Sequence, residues 1–136
     1  MPLSLENHLN YNFPKEMKIC SKLEISHIFN TGIRVRDHRI MLLGVKSQDA
    51  NSRRFAVTIS KKHGNAVIRN RIKRLCREAL RLTQHDLPTG IDIVLFPRVG
   101  ITHDVTAIQK SLKSLGKKLA KRIFKANDHN SNPSAE

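Results

Sequence analysis

Between Arg53 and Arg81, ten basic side chains (Arg53, Arg54, Lys61, Lys62, Arg69, Arg71, Lys73, Arg74, Arg77 and Arg81) stand against one acidic residue, Glu78. That places nine of the chain's +14 net positive charges in under a quarter of its 136 residues. The chemistry open to such a set is the grip of a polyanion, since Arg can hold a phosphate through two parallel hydrogen bonds. Laid out as a helix at about 100° per residue, Asn70, Lys73, Arg74, Arg77 and Arg81 share one side, with Arg69 and Arg71 at its borders. Ile68, Ile72, Leu75, Cys76 and Ala79 form an apolar stripe opposite. A face that is only solvated mixes signs to limit repulsion. Here one anion accompanies six or seven cations, so a neutralising polyanion is expected, with a steep salt dependence from counterion release. Lys61-Lys62-His63-Gly64-Asn65 leads straight into this helix. Asn65 is a good N-cap, Gly64 lets a backbone come close, and the free N–H groups of a helix start favour an anion.

Other reactive side chains form no comparable pattern. The seven histidines, His8, His27, His38, His63, His85, His103 and His129, are scattered, with no metal-ligand spacing. Ser60 and Cys76 lack the surroundings of a nucleophile, and Cys76 reads as core. Asp92 lies in a buried strand and Asp104 at a helix start, where a cap explains it. No catalytic residue and no protein metal site are expected. A helix that reads base edges mixes Asn, Gln, Ser or Thr among its basic residues; only Asn70 does so here, which favours contact with a nucleic-acid backbone. A DNA-binding module and a ribosomal-type RNA-binding protein are the competing classes. An autonomous nuclease would need clustered carboxylates that the chain lacks.

The elements that must position this helix follow from periodicity. Ser21 caps a short helix with Glu24 as its capping-box partner, Ile25, Ile28 and Phe29 on one face, and Gly32 at its end. Ile33 to Val45 is extended around Ile40-Met41-Leu42-Leu43, and Ile33–Arg36 can add a short strand of its own. Gln48 to Ser52 is turn chemistry. Phe55, Val57 and Ile59 alternate with Ala56, Thr58 and Ser60, so the second and third strand segments read as a hairpin. The basic helix runs to about Leu82, Leu87-Pro88-Thr89-Gly90 is a loop, and Ile91 to Phe96 is a buried strand that Pro97 ends or marks as an edge. Asp104 caps a last helix with the stripe Val105, Ile108, Leu112, Leu115, Leu119 and Ile123. Gly116 inside that helix costs about 1 kcal/mol relative to Ala and can mark close packing. Lys110, Lys113, Lys117, Lys118, Lys121, Arg122 and Lys125 on it read as a solvated face giving diffuse attraction. The order α-β-β-(β)-α-β-α indicates an α+β domain with helices packed on a small sheet.

The length fits one domain, assigned to residues 16–126, between a flexible arm at 1–15 and a disordered tail at 127–136. With 4% aromatics and no Trp, the core is mainly aliphatic. No apolar run is long enough to span a membrane, and no secretory signal is read at the N-terminus. Cys20 and Cys76 form no disulfide framework, so a reducing cytoplasm is the default compartment.

The stretch Ser60–Glu78, SKKHGNAVIRNRIKRLCRE, closely resembles the bacterial ribonuclease P protein subunit, a family marked by an Arg-Asn-Arg helix, here Arg69-Asn70-Arg71 followed by Ile72-Lys73-Arg74-Leu75 and Arg77. Leu23-Glu24-Ile25 with Ile28-Phe29 and Gly32 resembles its first helix, the run from Arg81-Leu82 to Pro88 a frequent continuation, and Asp92-Ile93-Val94-Leu95 its last strand. The resemblance spans about residues 18–122. It implies a ribosomal protein S5 domain 2-like fold with a left-handed βαβ crossover. It also implies a small basic partner of a catalytic RNA that removes the 5′ leader of precursor tRNA, with Mg²⁺ held mainly by the RNA and no obligate protein partner. Lys61, Lys62, Asn65, Arg69, Asn70, Arg71, Lys73, Arg74 and Arg77 would then meet the catalytic RNA. A cleft between the first helix and the sheet would receive the single-stranded leader at Ile25, Phe29, Arg34, Arg36, Arg39 and Leu43. The family often has aromatics where this chain has Ile25, Ile40 and Leu43, and aliphatic side chains stack on bases less well than aromatic ones.

Overall fold

The computed structural model describes residues 18, 19 and 21–131, the side chains of 126–131 excepted. The arm at 1–15, Cys20 and the end of the tail at 132–136 lie outside them. The elements are α1 (Lys22–Thr31), β1 (Ile33–Arg36), β2 (Ile40–Lys46), β3 (Arg53–Val57), α2 (Ala66–Thr83), β4 (Ile91–Pro97) and α3 (Val105–Ser131), with 3₁₀ turns at Lys61–His63 and Gln84–Asp86. They form an α+β fold, a four-stranded mixed sheet packed by three helices.

Local chemistry sets the helix ends. The Ser21 hydroxyl accepts from the Glu24 N–H at 3.3 Å, and the Gly32 N–H closes α1 on the Ile28 carbonyl at 2.7 Å. The amide oxygen of Asn65 accepts from the Ile68 N–H at 3.0 Å, and Asp104 Oδ1 accepts from the Ala107 N–H at 2.8 Å. Helix α3 continues to Ser131, into the stretch expected as tail from 127. Once a helix is nucleated, each further residue adds a backbone hydrogen bond at little cost.

The strand order is β1-β2-β4-β3, which corrects the expected hairpin of the second and third strand segments. Strand β4 lies between β2 and β3, antiparallel to β2 and parallel to β3, and α2 makes the β3-to-β4 crossover. Burial explains the insertion: β4 is buried along nearly its whole length, as a central strand covered on both faces must be. Gly90, at φ +78°, starts it by accepting from the Ser47 N–H and donating to the Ser52 carbonyl, both at 2.7 Å. An L side chain is strained at that φ, and a Cβ there would lie 3.1 Å from the Ala50 carbonyl oxygen. The long extended run splits at a turn where Asp37 accepts from the N–H groups of Arg39 and Ile40 at 2.7 and 2.9 Å. The hairpin is therefore β1–β2.

One sheet face carries the main core. Val35, Ile40, Leu42, Phe55, Ile91, Ile93 and Leu95 pack there against Cys76, Ala79 and Leu80 of α2 and Ile108, Leu112, Leu115 and Leu119 of α3. Close approach is built in: a Cβ on Gly44 would lie 2.7 Å from Leu119, and one on Gly116 2.9 Å from Leu87. The other face holds a smaller cluster of Ile19, Ile28, Leu43 and Val94 beneath α1. Ile68, expected in the stripe, is 38% exposed, because the first turn of α2 lies outside the core cluster while Leu80 near its end is fully buried.

Burial pushes the Cys76 thiol up to about 12, so it stays protonated and unreactive. In a Cys20→Ser chain, a thiol reagent at about pH 8 is expected to modify Cys76 only after denaturation. Stoichiometric labelling of the native protein would contradict its core placement.

Candidate nucleic-acid interface

The outward face of α2 is the charged face that the helical wheel gave. Asn70, Lys73, Arg74, Arg77, Glu78 and Arg81 line one shallow groove of about 390 Å³ along it. Asn70, Arg74 and Arg77 are exposed and Lys73 is half-buried. The one anion on this face is engaged within the helix: Glu78 accepts from Arg81 at 2.6 and 2.9 Å, which raises the Arg81 pKa and holds the Glu78 carboxyl below its usual range. Lys73, Arg74 and Arg77 are in no ion pair among the described residues. Arg71 is exposed at one border. Arg69 is half-buried at the other, its Nε enclosed without a hydrogen-bond partner.

Upstream, Lys61 and Lys62 project from the 3₁₀ turn, whose Ser60 hydroxyl accepts from the Lys62 N–H at 3.1 Å. Gly64 sits at φ +136°, a conformation that favours glycine, with a hypothetical Cβ 3.0 Å from Ile68. Asn65 lies beside them, but its amide oxygen is committed to the helix cap.

The basic face is continuous with the α1 side of the sheet. Lys18, Lys22 and Ile25 share a groove of about 360 Å³ with Ala56, Lys73 and Arg77. Strand alternation then decides which expected cleft residues belong to that side. Ile25 is half-buried, and Phe29 is 52% exposed, meeting Phe96 edge-on with ring centroids 6.1 Å apart. Arg34 and Arg36 oppose Leu43 and Met41 in register, so all four rise from this face, the two arginines exposed.

Two of the expected cleft residues are placed differently from the rest. Leu43 points to this face but is 1% exposed, packed with Ile28 and Val94, so it forms the floor of the cleft and not a surface a base could reach. Ile40, three positions earlier, necessarily faces the opposite side, in the main core. Arg39 is half-buried and donates to the Thr102 carbonyl at 3.4 Å, in the loop between β4 and α3. Phe96 is the cleft residue that sequence reasoning missed. Alternation with Ile91, Ile93 and Leu95 could have found it, had the strand not been read as buried throughout.

Arg54 ties α1 to the sheet. It donates to Asp92 at 2.8 and 3.2 Å and to Glu24, and these hydrogen bonds raise its own pKa further. The carboxylates of Glu24 on α1 and Asp92 on β4 are thus bridged by one guanidinium. Among the described residues, no three His, Cys, Asp or Glu side chains gather around one point. No helix among them is long and apolar enough to cross a membrane.

A family model described as Ribonuclease P matches residues 13–130. The chain is 38% identical over 104 residues to the ribonuclease P protein component of Brevibacillus brevis, an alignment covering 76% of this chain and 82% of that protein. Its fold is similar to the ribonuclease P protein from Thermotoga maritima (TM-score 0.67, 26% identity, 74% of this chain and 96% of that one). It is also similar to the Staphylococcus aureus ribonuclease P protein (TM-score 0.64, 28% identity, 80% and 99%).

Proposed function

This chain belongs to the ribonuclease P protein family, the protein component of the endoribonuclease P complex of tRNA processing, which associates with ribonuclease P RNA, and on that premise we propose how its surfaces divide the work. The outward face of α2, with Lys61 and Lys62, binds the catalytic RNA. The cleft between α1 and the sheet receives the 5′ leader of precursor tRNA. The RNA hydrolyses one phosphodiester, releasing the leader and leaving a mature 5′-phosphate end. The observation that carries this reading is the row Lys73, Arg74 and Arg77, which has no ion-pair partner among the described residues and opens through a shared groove toward Ile25 of the cleft.

The chain's own part is binding and positioning. Phe29 and Phe96 offer aromatic surface for a base, and stacking contributes roughly 1–3 kcal/mol per base. Arg34 and Arg36 flank that surface with charge for the leader's phosphates. Magnesium asks for several oxygen donors around one point; the described residues do not fit that need, and Arg54 already holds Glu24 and Asp92. No step is assigned to an ion held by the protein. In this reading Mg²⁺ would be held mainly by the RNA, and activation of the attacking water is the chemistry it would supply there.

Reconstitution tests the proposal. The purified chain alone is expected not to cleave precursor tRNA. Added to its cognate catalytic RNA at low Mg²⁺, it should restore cleavage at the leader junction. Cleavage that the chain leaves unchanged across a range of Mg²⁺ and salt rejects the assignment.

A further inference from the structure

The two edges of the sheet differ. At the β3 edge, Lys18 forms a parallel bridge to Phe55 and the Ile19 N–H donates to the Phe55 carbonyl at 2.8 Å, so part of that edge is covered. At the far edge, β1 pairs among the described residues only with β2. There Arg34, Val35 and Arg36 form a groove of about 350 Å³ with Lys118 and Arg122 of α3. Lys118 and Arg122 lie one helical turn apart, and Arg122 Nη1 donates to the Arg34 carbonyl at 3.0 Å, which holds its guanidinium against the strand edge. All four cations are exposed, and none is in an ion pair among the described residues. Among the described residues no carboxylate lines the groove. Asp37, in the adjoining turn, is half-buried and committed to the N–H groups of Arg39 and Ile40 and to the Ser111 hydroxyl.

A charged side chain on an open edge can serve only to discourage strand pairing. One cation suffices for that. Four cations drawn from two distant chain segments into a groove where no described residue supplies an anion repel one another unless a polyanion joins them. Their position selects the polyanion. Arg34 and Arg36 rise from the same sheet face as the cleft floor at Leu43 and Met41, at the edge opposite β3, where the α2 groove meets the sheet. Three strand spacings, about 14 Å, separate the two edges. A single strand that enters beside α2 and crosses the cleft emerges over β1.

We propose that Arg34, Arg36, Lys118 and Arg122 form a second phosphate-binding groove, which holds the distal part of the precursor tRNA leader after it has crossed the cleft. This rests on the leader-binding reading above and adds to it a site and a dependence on leader length.

The test uses the reconstituted holoenzyme and two precursor tRNAs. One has a leader of about ten nucleotides, within the roughly 4–16 that a small domain can track; the other is truncated to about two. Replacing all four residues by Gln is expected to weaken binding of the long-leader substrate about tenfold or more, and of the truncated one less than about twofold. The salt slope for the long leader should flatten by roughly 2–3, at about 0.7 per single-strand phosphate. A variant carrying Arg34→Lys, Arg36→Lys and Arg122→Lys, with Lys118 retained, keeps the charge and should retain most of the binding. Equal losses with both substrates, or no loss with either, overturn the proposal; the second result leaves edge protection as the groove's role. A wild-type holoenzyme indifferent to the protein with both substrates would instead reject the leader-binding reading, and this groove with it.

Discussion

Replacing Lys73, Arg74 and Arg77 together by Gln is expected to weaken binding to ribonuclease P RNA roughly 100-fold, at about 1 kcal/mol for each cation, and to flatten the salt slope by about 2–3. The three line one groove on α2, where Glu78, occupied by Arg81, is the one carboxylate among the described residues. The fold should be indifferent to the change, since none of the three belongs to the core of the sheet. Changing Lys117 and Lys121 of α3 to Gln removes comparable exposed charge and serves as the control, with an expected loss below about threefold. The double change Arg69→Ala with Arg71→Ala should also flatten the slope, but less, because Arg69 is half-buried and the two sit at opposite borders of the face. If filter binding across a salt series gives the triple variant the wild-type slope, the RNA contact lies elsewhere on the molecule.

Arg54→Ala should lower stability by about 2–3 kcal/mol. Removing one partner of a buried ion pair costs about 3–5 kcal/mol; the lower figure reflects that Arg54 and Glu24 keep 29% and 43% of their side-chain surface exposed, against 9% for Asp92. The loss arises mainly from leaving the Asp92 carboxylate enclosed without its cation. For a domain of this size it corresponds to a fall in Tm of roughly 8–20 °C. Arg54→Ala combined with Asp92→Ala should recover part of that loss, since the stranded charge goes too. Because Arg54 also fixes Glu24 of α1, precursor tRNA binding should weaken in the single variant even below its melting transition. A Tm within about 2 °C of wild type would show that the bridge contributes little and that apolar packing alone seats α1.

The division between local and long-range information is visible residue by residue. The caps at Ser21, Asn65 and Asp104 were legible because each depends on a side chain and an N–H three residues on. The basic face of α2 was legible because a 3.6-residue repeat assigns sides before any partner is known. Lys118 and Arg122 are exposed, as a solvated face requires, but their grouping with Arg34 and Arg36 could not be read locally, because those neighbours lie more than 80 positions away in the chain. Ile40 and Leu43 could have been separated by counting alone, since strand neighbours three apart face opposite ways.

By itself, then, the sequence determined the helices, their caps, the cationic flank of α2 and the aliphatic character of the core, all properties that a segment expresses within one or two turns of itself. Tertiary structure alone decided that β4 enters between β2 and β3, that Phe96 joins Phe29 while Leu43 sinks to the floor, and that four cations meet at the β1 edge. The reason is that strand order and register follow from which apolar faces find cover in three dimensions, and no short window of a chain contains its own cover.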